Sequence, residues 1–213
     1  MHGFISAVLM EKRPSMTINT TLPQKTENKP YRPTEKDIER ILEASKDNPM
    51  YHICFQLGIL SLRRGEVAAL EITDLRGNEL TVNKAMVETG EKGNDWIIQN
   101  KTKNDTSNRI IQIPQKLADE INALGYIYTK TPPMLVETLH NYQDKLGIQR
   151  FRFHDLRHYF ASYAHSIGIP DVYIMQMGGW KTNHTLNKVY KEAMEDKTKD
   201  MNLKMSNMLL KNS

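Results

Sequence analysis

Cysteine is nearly absent. The 213 residues include one, Cys54, so no disulfide can form within the chain. It lies in the apolar run Ile53-Cys54-Phe55 and reads as a buried thiol, which fits a reducing compartment and gives the expectation of a cytoplasmic protein. No run approaches the roughly 20 apolar residues that span a bilayer. The N-terminus lacks the charged-then-apolar pattern of a secretory signal, so no membrane partner is expected. The excess of either charge over the other is small too. Lys and Arg number 29 against 25 Asp and Glu, a net of +4, which permits nucleic-acid binding without requiring it. The chain shows no acidic cluster that would bind a metal, no internal repeat and no low-complexity tract. What is there, 39% hydrophobic and 25% charged residues, is enough for one sizeable core.

Residues 1–33 stand apart from the rest. Gly3 to Leu9 is short and apolar, and the polar stretch after it is broken by Pro14, Pro23, Pro30 and Pro33. It reads as a linker. Order is expected to begin at Thr34, a helix N-cap with Asp37 at the capping-box position, followed by Ile38, Ile41 and Leu42 at helical spacing. A more apolar helix is predicted from about Met50 to Leu60, and a third near Arg63 that carries Val67 and Leu70. The period then changes. Glu79 to Val82, Trp96 to Ile98 and Arg109 to Ile113 are short β-type runs separated by turn-forming stretches. From Pro114 the helical pattern returns, over about 115–124, 131–146, 155–167, 170–177 and 182–194, with an apolar tail near 200–210. The expected fold is mainly α with a small three-stranded antiparallel sheet, an α+β class.

Four places carry candidate chemistry. Leu62-Arg63-Arg64-Gly65-Glu66 follows an apolar helix. Lys101 to Arg109 is a polar segment between two strands. His154-Asp155-Leu156-Arg157-His158 opens a helix, where residues three apart share a face, so His154 and Arg157 can address one ligand. Gly178-Gly179-Trp180 precedes Tyr190 on the next helix. Singly, each has an ordinary reading as a solvated helix end, a solvated hairpin, a surface turn or a packing aromatic.

Their order and company change that reading. Leu-Arg-x-Gly-Glu, a Lys-bearing hairpin, His-Asp-Leu-Arg-His, Gly-Gly-Trp and a Tyr about ten residues later together resemble the tyrosine recombinase family, the phage-type integrases. Phe153 to Ser162 is close to that family's second box, and Lys103 to Arg109 looks like the hairpin of phage and conjugative-element integrases. The resemblance covers about residues 34–195, implying a catalytic domain there. Residues 1–33 would be a linker and a remnant of a core-binding domain, and 196–213 a C-terminal tail or docking helix.

The resemblance implies site-specific DNA recombination, integration or excision, through a 3′-phosphotyrosyl intermediate. Arg63 and Arg157 would hold the non-bridging phosphate oxygens, a task suited to planar, permanently charged guanidiniums. His154 would hydrogen-bond or help move a proton. Lys103 would protonate the leaving 5′ oxygen, with Lys101 as the alternative, because a two-residue register shift keeps the face. Tyr190 would attack phosphorus, with Tyr173 next in line. Trp180 stands where most of the family has His. Its indole N–H donates one hydrogen bond but exchanges no proton near neutral pH, so acid-base duty would pass to His154 or Lys103. Glu66 resembles a buried carboxylate that supports the arginines, while Arg64, His158 and His184 would lie near DNA or serve packing.

No cofactor and no metal is implied. The implied partner is double-stranded DNA, with a monomer when free and a homotetramer on DNA. Two other readings stay open: a DNA-binding regulator or inactive truncated integrase, and a type IB topoisomerase-like enzyme.

Overall fold

The computed structural model describes residues 31–90, 95–100, 108–182, 186–187 and 210. Helix α1, Glu35–Ser45, starts at the expected cap. The Asp37 backbone N–H donates to Thr34 Oγ1 at 3.2 Å, and the Thr34 N–H donates to the Asp37 carboxylate at 2.9 Å. This reciprocal pair satisfies donors that a first helical turn leaves open, and Ile38 and Ile41 then face the core. Helix α2, Pro49–Ile59, begins on a proline, whose missing N–H costs nothing in a first turn. It buries Met50, Tyr51, Ile53, Cys54, Phe55, Leu57 and Gly58. A helix apolar on nearly every side belongs inside a core. Accordingly α1, α3 (Arg64–Ala69), α4 (Gln115–Leu124), α5 (Pro132–Leu146) and α6 (Phe153–Ser166) all pack against it. Gly125 and Gly147 end α4 and α5 in the left-handed region, at φ 78° and 64°, where a side chain would be strained.

The meeting of α2 and α6 is close. A Cβ on Gly58 would stand 2.7 Å from the Phe153 ring and 2.8 Å from Leu156 Cδ1. Beyond this main core, the later part of α6 packs on α7, Asp171–Gly178. There Ala161, Ala164, Ile174, Trp180 and Leu186 form a second, smaller apolar cluster. Among the described residues no helix is long and apolar enough to cross a membrane.

The class is the expected one, mainly helical with small antiparallel sheets, but the strand membership differs. One sheet has the order β1 (Leu75–Arg76), β2 (Glu79–Val82), β5 (Arg109–Gln112). A separate pair joins β3 (Lys84–Glu88) to β4 (Trp96–Asn100). Trp96 to Ile98 therefore pairs with Glu88 to Met86 and not with the other two expected strands. The run Lys84-Ala85-Met86-Val87-Glu88 has little β-branching and no polar alternation, which hides it from a period-two reading. The two-residue β1 is too short to show a period at all. Helix α6 begins two residues before the expected position, at Phe153. Of the helix expected over 182–194, Thr182 is not helical, residues 183–185 and 188–194 lie outside the described residues, and Leu186 and Asn187 are helical. Of the expected tail, Leu210 alone is described.

Candidate active site

Glu66 is the pivot of the site. It occupies the first turn of α3 and is 1% exposed. Its carboxylate accepts from the Arg63 backbone N–H at 2.9 Å and from Arg63 Nη1 at 2.7 Å. It also accepts from Arg109 Nη1 and Nη2, at 3.2 and 3.0 Å. Burial alone would raise this carboxyl, but the hydrogen bonds and charge of Arg109, with the charge and backbone N–H of Arg63, hold it far below the usual carboxylate range. A buried charge is tolerable only when paired in this way.

Arg109, which no sequence motif marks as a site residue, is at the centre. In β5 it stands opposite Val82 and shares the inward face with Ile111 and Ile113. Strand alternation thus drives a guanidinium into the core, where Nε donates to the Met177 carbonyl at 2.9 Å. The signal was present: an arginine in phase with two buried isoleucines. Ser61 left no such signal. It is fully buried with φ 77°, a left-handed conformation uncommon for a non-glycine residue. That turn aims its carbonyl at Arg157 Nη1, 2.6 Å away, with the hydroxyl at 3.1 Å.

Arg157, in α6, is 1% exposed. Ser61 satisfies one of its terminal nitrogens, while Nε and the buried Nη2 have no hydrogen-bond partner among the described residues. Its guanidinium carbon lies 3.9 Å from the Trp180 ring centroid, a cation–π stack. Trp180 can lie there because Gly178 has no side chain: a Cβ would fall 1.8 Å from the indole. Gly179 turns the chain at φ 63°, and its carbonyl accepts from Arg63 Nη2 at 3.2 Å. The Gly-Gly-Trp run thus joins the two arginines that the sequence put in separate motifs. Burial first, then the positive charges of Arg63 and Arg109, push Arg157 down to about 9, and it stays charged at neutral pH.

His154 lies one turn before Arg157 on α6 and opens to the surface. Its ring packs edge-on against His158, centroids 4.8 Å apart. Desolvation of its inner edge, with the charges of Arg157, Arg152 and Arg63, lowers its imidazole well below the ordinary value, so it is neutral near pH 7. His158 is lowered to about 3, by burial and then by Arg32 and His154. Arg64 is exposed, and Tyr173 is 57% exposed on α7. Lys101, Lys103, His184 and Tyr190 lie outside the described residues.

Three guanidiniums gather around one carboxylate and one glycine-rich turn, with a neutral imidazole beside them, an arrangement chemically suited to an anion rich in oxygen acceptors. Among the described residues no three His, Cys, Asp or Glu side chains gather so as to hold a metal ion.

A sequence model of the phage integrase family matches residues 32–197. The integrase of Salmonella phage P22 is 47% identical over 38 residues, which are 18% of this chain and 10% of that protein. The match thus spans about a tenth of that relative's length. Among solved structures, the Tn1549 transposon integrase in complex with transposon right-end DNA is similar at a TM-score of 0.66 and 13% identity, over 92% of this chain and 76% of that one. A lambda integrase tetramer bound to a Holliday junction gives 0.59 and 17%, over 90% of this chain and 58% of that one. At these identities the structural likeness speaks for the fold.

Proposed function

Because the chain belongs to the phage integrase family, we propose that it cuts and rejoins DNA strands in site-specific recombination, with Tyr190 forming a 3′-phosphotyrosyl bond. The observation that carries this reading is Arg157: a buried guanidinium with two nitrogens unpartnered among the described residues, set in a cluster with Arg63 and Arg109. Buried donors without acceptors are costly, and a DNA phosphate supplies acceptors where the charge of the transition state develops.

In the proposed step the Tyr190 oxygen bonds to phosphorus as the P–O5′ bond breaks. The tyrosine proton passes to the neutral His154 or to water, and Lys103, or else Lys101, protonates the departing 5′ oxygen. Arg63 and Arg157 hold the non-bridging oxygens, and the Trp180 N–H adds one hydrogen bond. The phosphotyrosyl bond conserves the energy of the broken linkage, so a second 5′-hydroxyl can reverse the step on another strand. The partner we assign is double-stranded DNA, bound as a tetramer assembled from free monomers, by analogy with the lambda integrase assembly. The compartment we assign is the cytoplasm, in keeping with one buried thiol, Cys54, and a DNA substrate.

A nicked duplex carrying the attachment site, which traps covalent product, tests the reading. Wild-type protein should give a denaturation-resistant adduct, and Tyr190→Phe should give none while still binding DNA. Lys103→Ala should slow cleavage, and a bridging 5′-phosphorothiolate should rescue it, because a thiolate leaves without a proton. Binding without any adduct would make the chain a regulator. Relaxation of supercoiled plasmid without joining of two sites would make it topoisomerase-like.

A further inference from the structure

The segment that leads into α1 is tied to the helix that carries His154 and Arg157. Asp155, at the third position of α6, is 1% exposed and holds two guanidiniums. One is local: Arg152, the N-cap, donates its backbone N–H at 2.8 Å and its Nε and Nη2 at 3.1 and 3.0 Å. The other comes from far along the chain, where Arg32 Nη1 donates to Asp155 Oδ1 at 2.5 Å. The residue before it, Tyr31, donates its hydroxyl to Asp37 at 2.6 Å, the carboxylate of the α1 capping box. Tyr31 and Arg32 therefore bridge the capping boxes of α1 and α6. No local signal marks this link, since an arginine in a proline-broken polar stretch reads as solvated.

We infer that Arg32 is a positioning residue, whose ion pair with the buried Asp155 fixes the first turn of α6 and with it the His154–Arg157 pair. Asp155 lies between those two residues on the same turn, so a tilt or fraying of that turn moves both. Arg152 alone cannot supply the same restraint, because it belongs to the helix end it caps and moves with it. Arg32 holds that end from outside. A displacement of about 1 Å at a reacting group can cost a hundredfold in rate, so loss of one external strut should cost about tenfold. For its effect on the reaction the inference rests on the cleavage reading, while its structural half does not.

The test compares the full chain with Arg32→Ala and Arg32→Lys. In DNA-free protein, Arg32→Ala should speed hydrogen exchange at the start of α6 about tenfold and leave the centre of α2 unchanged. In single-turnover cleavage at saturating protein it should lower the rate about tenfold, with DNA affinity within a factor of about two of wild type. A lysine ammonium at this position can reach the same carboxylate oxygen, so Arg32→Lys should restore both. Unchanged exchange in the Ala variant overturns the inference, as does faster exchange throughout the molecule, an unaltered cleavage rate or a failure of the lysine variant to rescue. A wild-type chain that forms no adduct counts against the cleavage reading instead, and exchange at α6 then decides the role of Arg32.

Discussion

At the scale of single residues, the site is governed by how one carboxylate distributes itself among guanidiniums. Glu66 is the acidic partner that both Arg63 and Arg109 share. Glu66→Gln keeps the shape and removes the charge, leaving Arg109 buried beside a neutral amide. Breaking a buried pair from one side costs about 3–5 kcal/mol, and retention of some hydrogen bonds by the amide places the expected loss near the lower end. Urea denaturation of the two proteins measures it, and a loss below about 1 kcal/mol would show that Arg109 finds equal compensation elsewhere. The histidines set a second expectation. An unfolded imidazole takes up its proton near 6.5, whereas His158 in the folded protein does so only at about 3. Between these values the unfolded chain binds more protons, so stability rises with pH and falls as pH is lowered from neutrality. Glu66 loses its own contribution on acidification too, but only below about 4.5, its ordinary value. Urea midpoints should therefore already fall between pH 7 and pH 5, and His158→Gln should flatten that slope. The same lowering at His154 predicts a cleavage rate without a break near 6.5; a break there would mean that imidazole titrates as in water.

At the scale of elements, the deciding contact is that of α2 with α6. Phe153 and Leu156 sit on Gly58 at the α6 turn that also bears His154 and Arg157. Gly58→Ala gains roughly 1 kcal/mol of helix propensity but overpacks the contact by about 1–3 kcal/mol. The net expectation is a loss of about 1 kcal/mol, with a larger effect on cleavage than on stability because the displaced turn is the one that presents the pair. Thermal melts beside single-turnover rates would separate these effects. Equal activity with lowered stability would mean that the side chains yield and the helix does not. The β3–β4 pair behaves differently. Ile97 and Ile98 on β4 are 49% and 47% exposed, so this pair owes less to burial than β2, whose Leu80 and Val82 are fully buried.

At the scale of the whole molecule, a net charge of +4 leaves only a small overall excess of positive charge to draw the chain to DNA. Each phosphate contact contributes about −0.9 to the slope of log affinity against log salt on duplex DNA. In the proposed reading the arginines of the site address phosphate, a contact that carries no base information. The expected behaviour is a slope shallower than that of proteins making roughly 6 to 10 such contacts, with little preference between an attachment-site duplex and a scrambled one. Titrations of fluorescent duplexes at two salt concentrations measure both quantities. A steep slope with strong site preference would place base recognition within these 213 residues.

Features that depend on neighbours in the chain are legible from the residues alone. The Thr34–Asp37 box, the all-apolar face of α2, the glycines that stop α4 and α5, and the His-Asp-Leu-Arg-His turn are legible because caps, helical period and left-handed glycine act over a few residues. The order of the motifs pointed to the family for the same reason. Tertiary structure alone decided the rest. It brought Arg109 onto Glu66, 43 positions away, and Arg32 onto Asp155, 123 positions away. It also turned Ser61 into a left-handed bend that aims a carbonyl at Arg157, and sent Trp96–Asn100 to pair with a strand that shows no period of its own. Such contacts leave no local pattern, since a long-range ion pair or strand pairing depends on which surfaces the packed core brings together. The site is assembled from those surfaces: local rules supply its side chains, and burial around α2 gives them their partners.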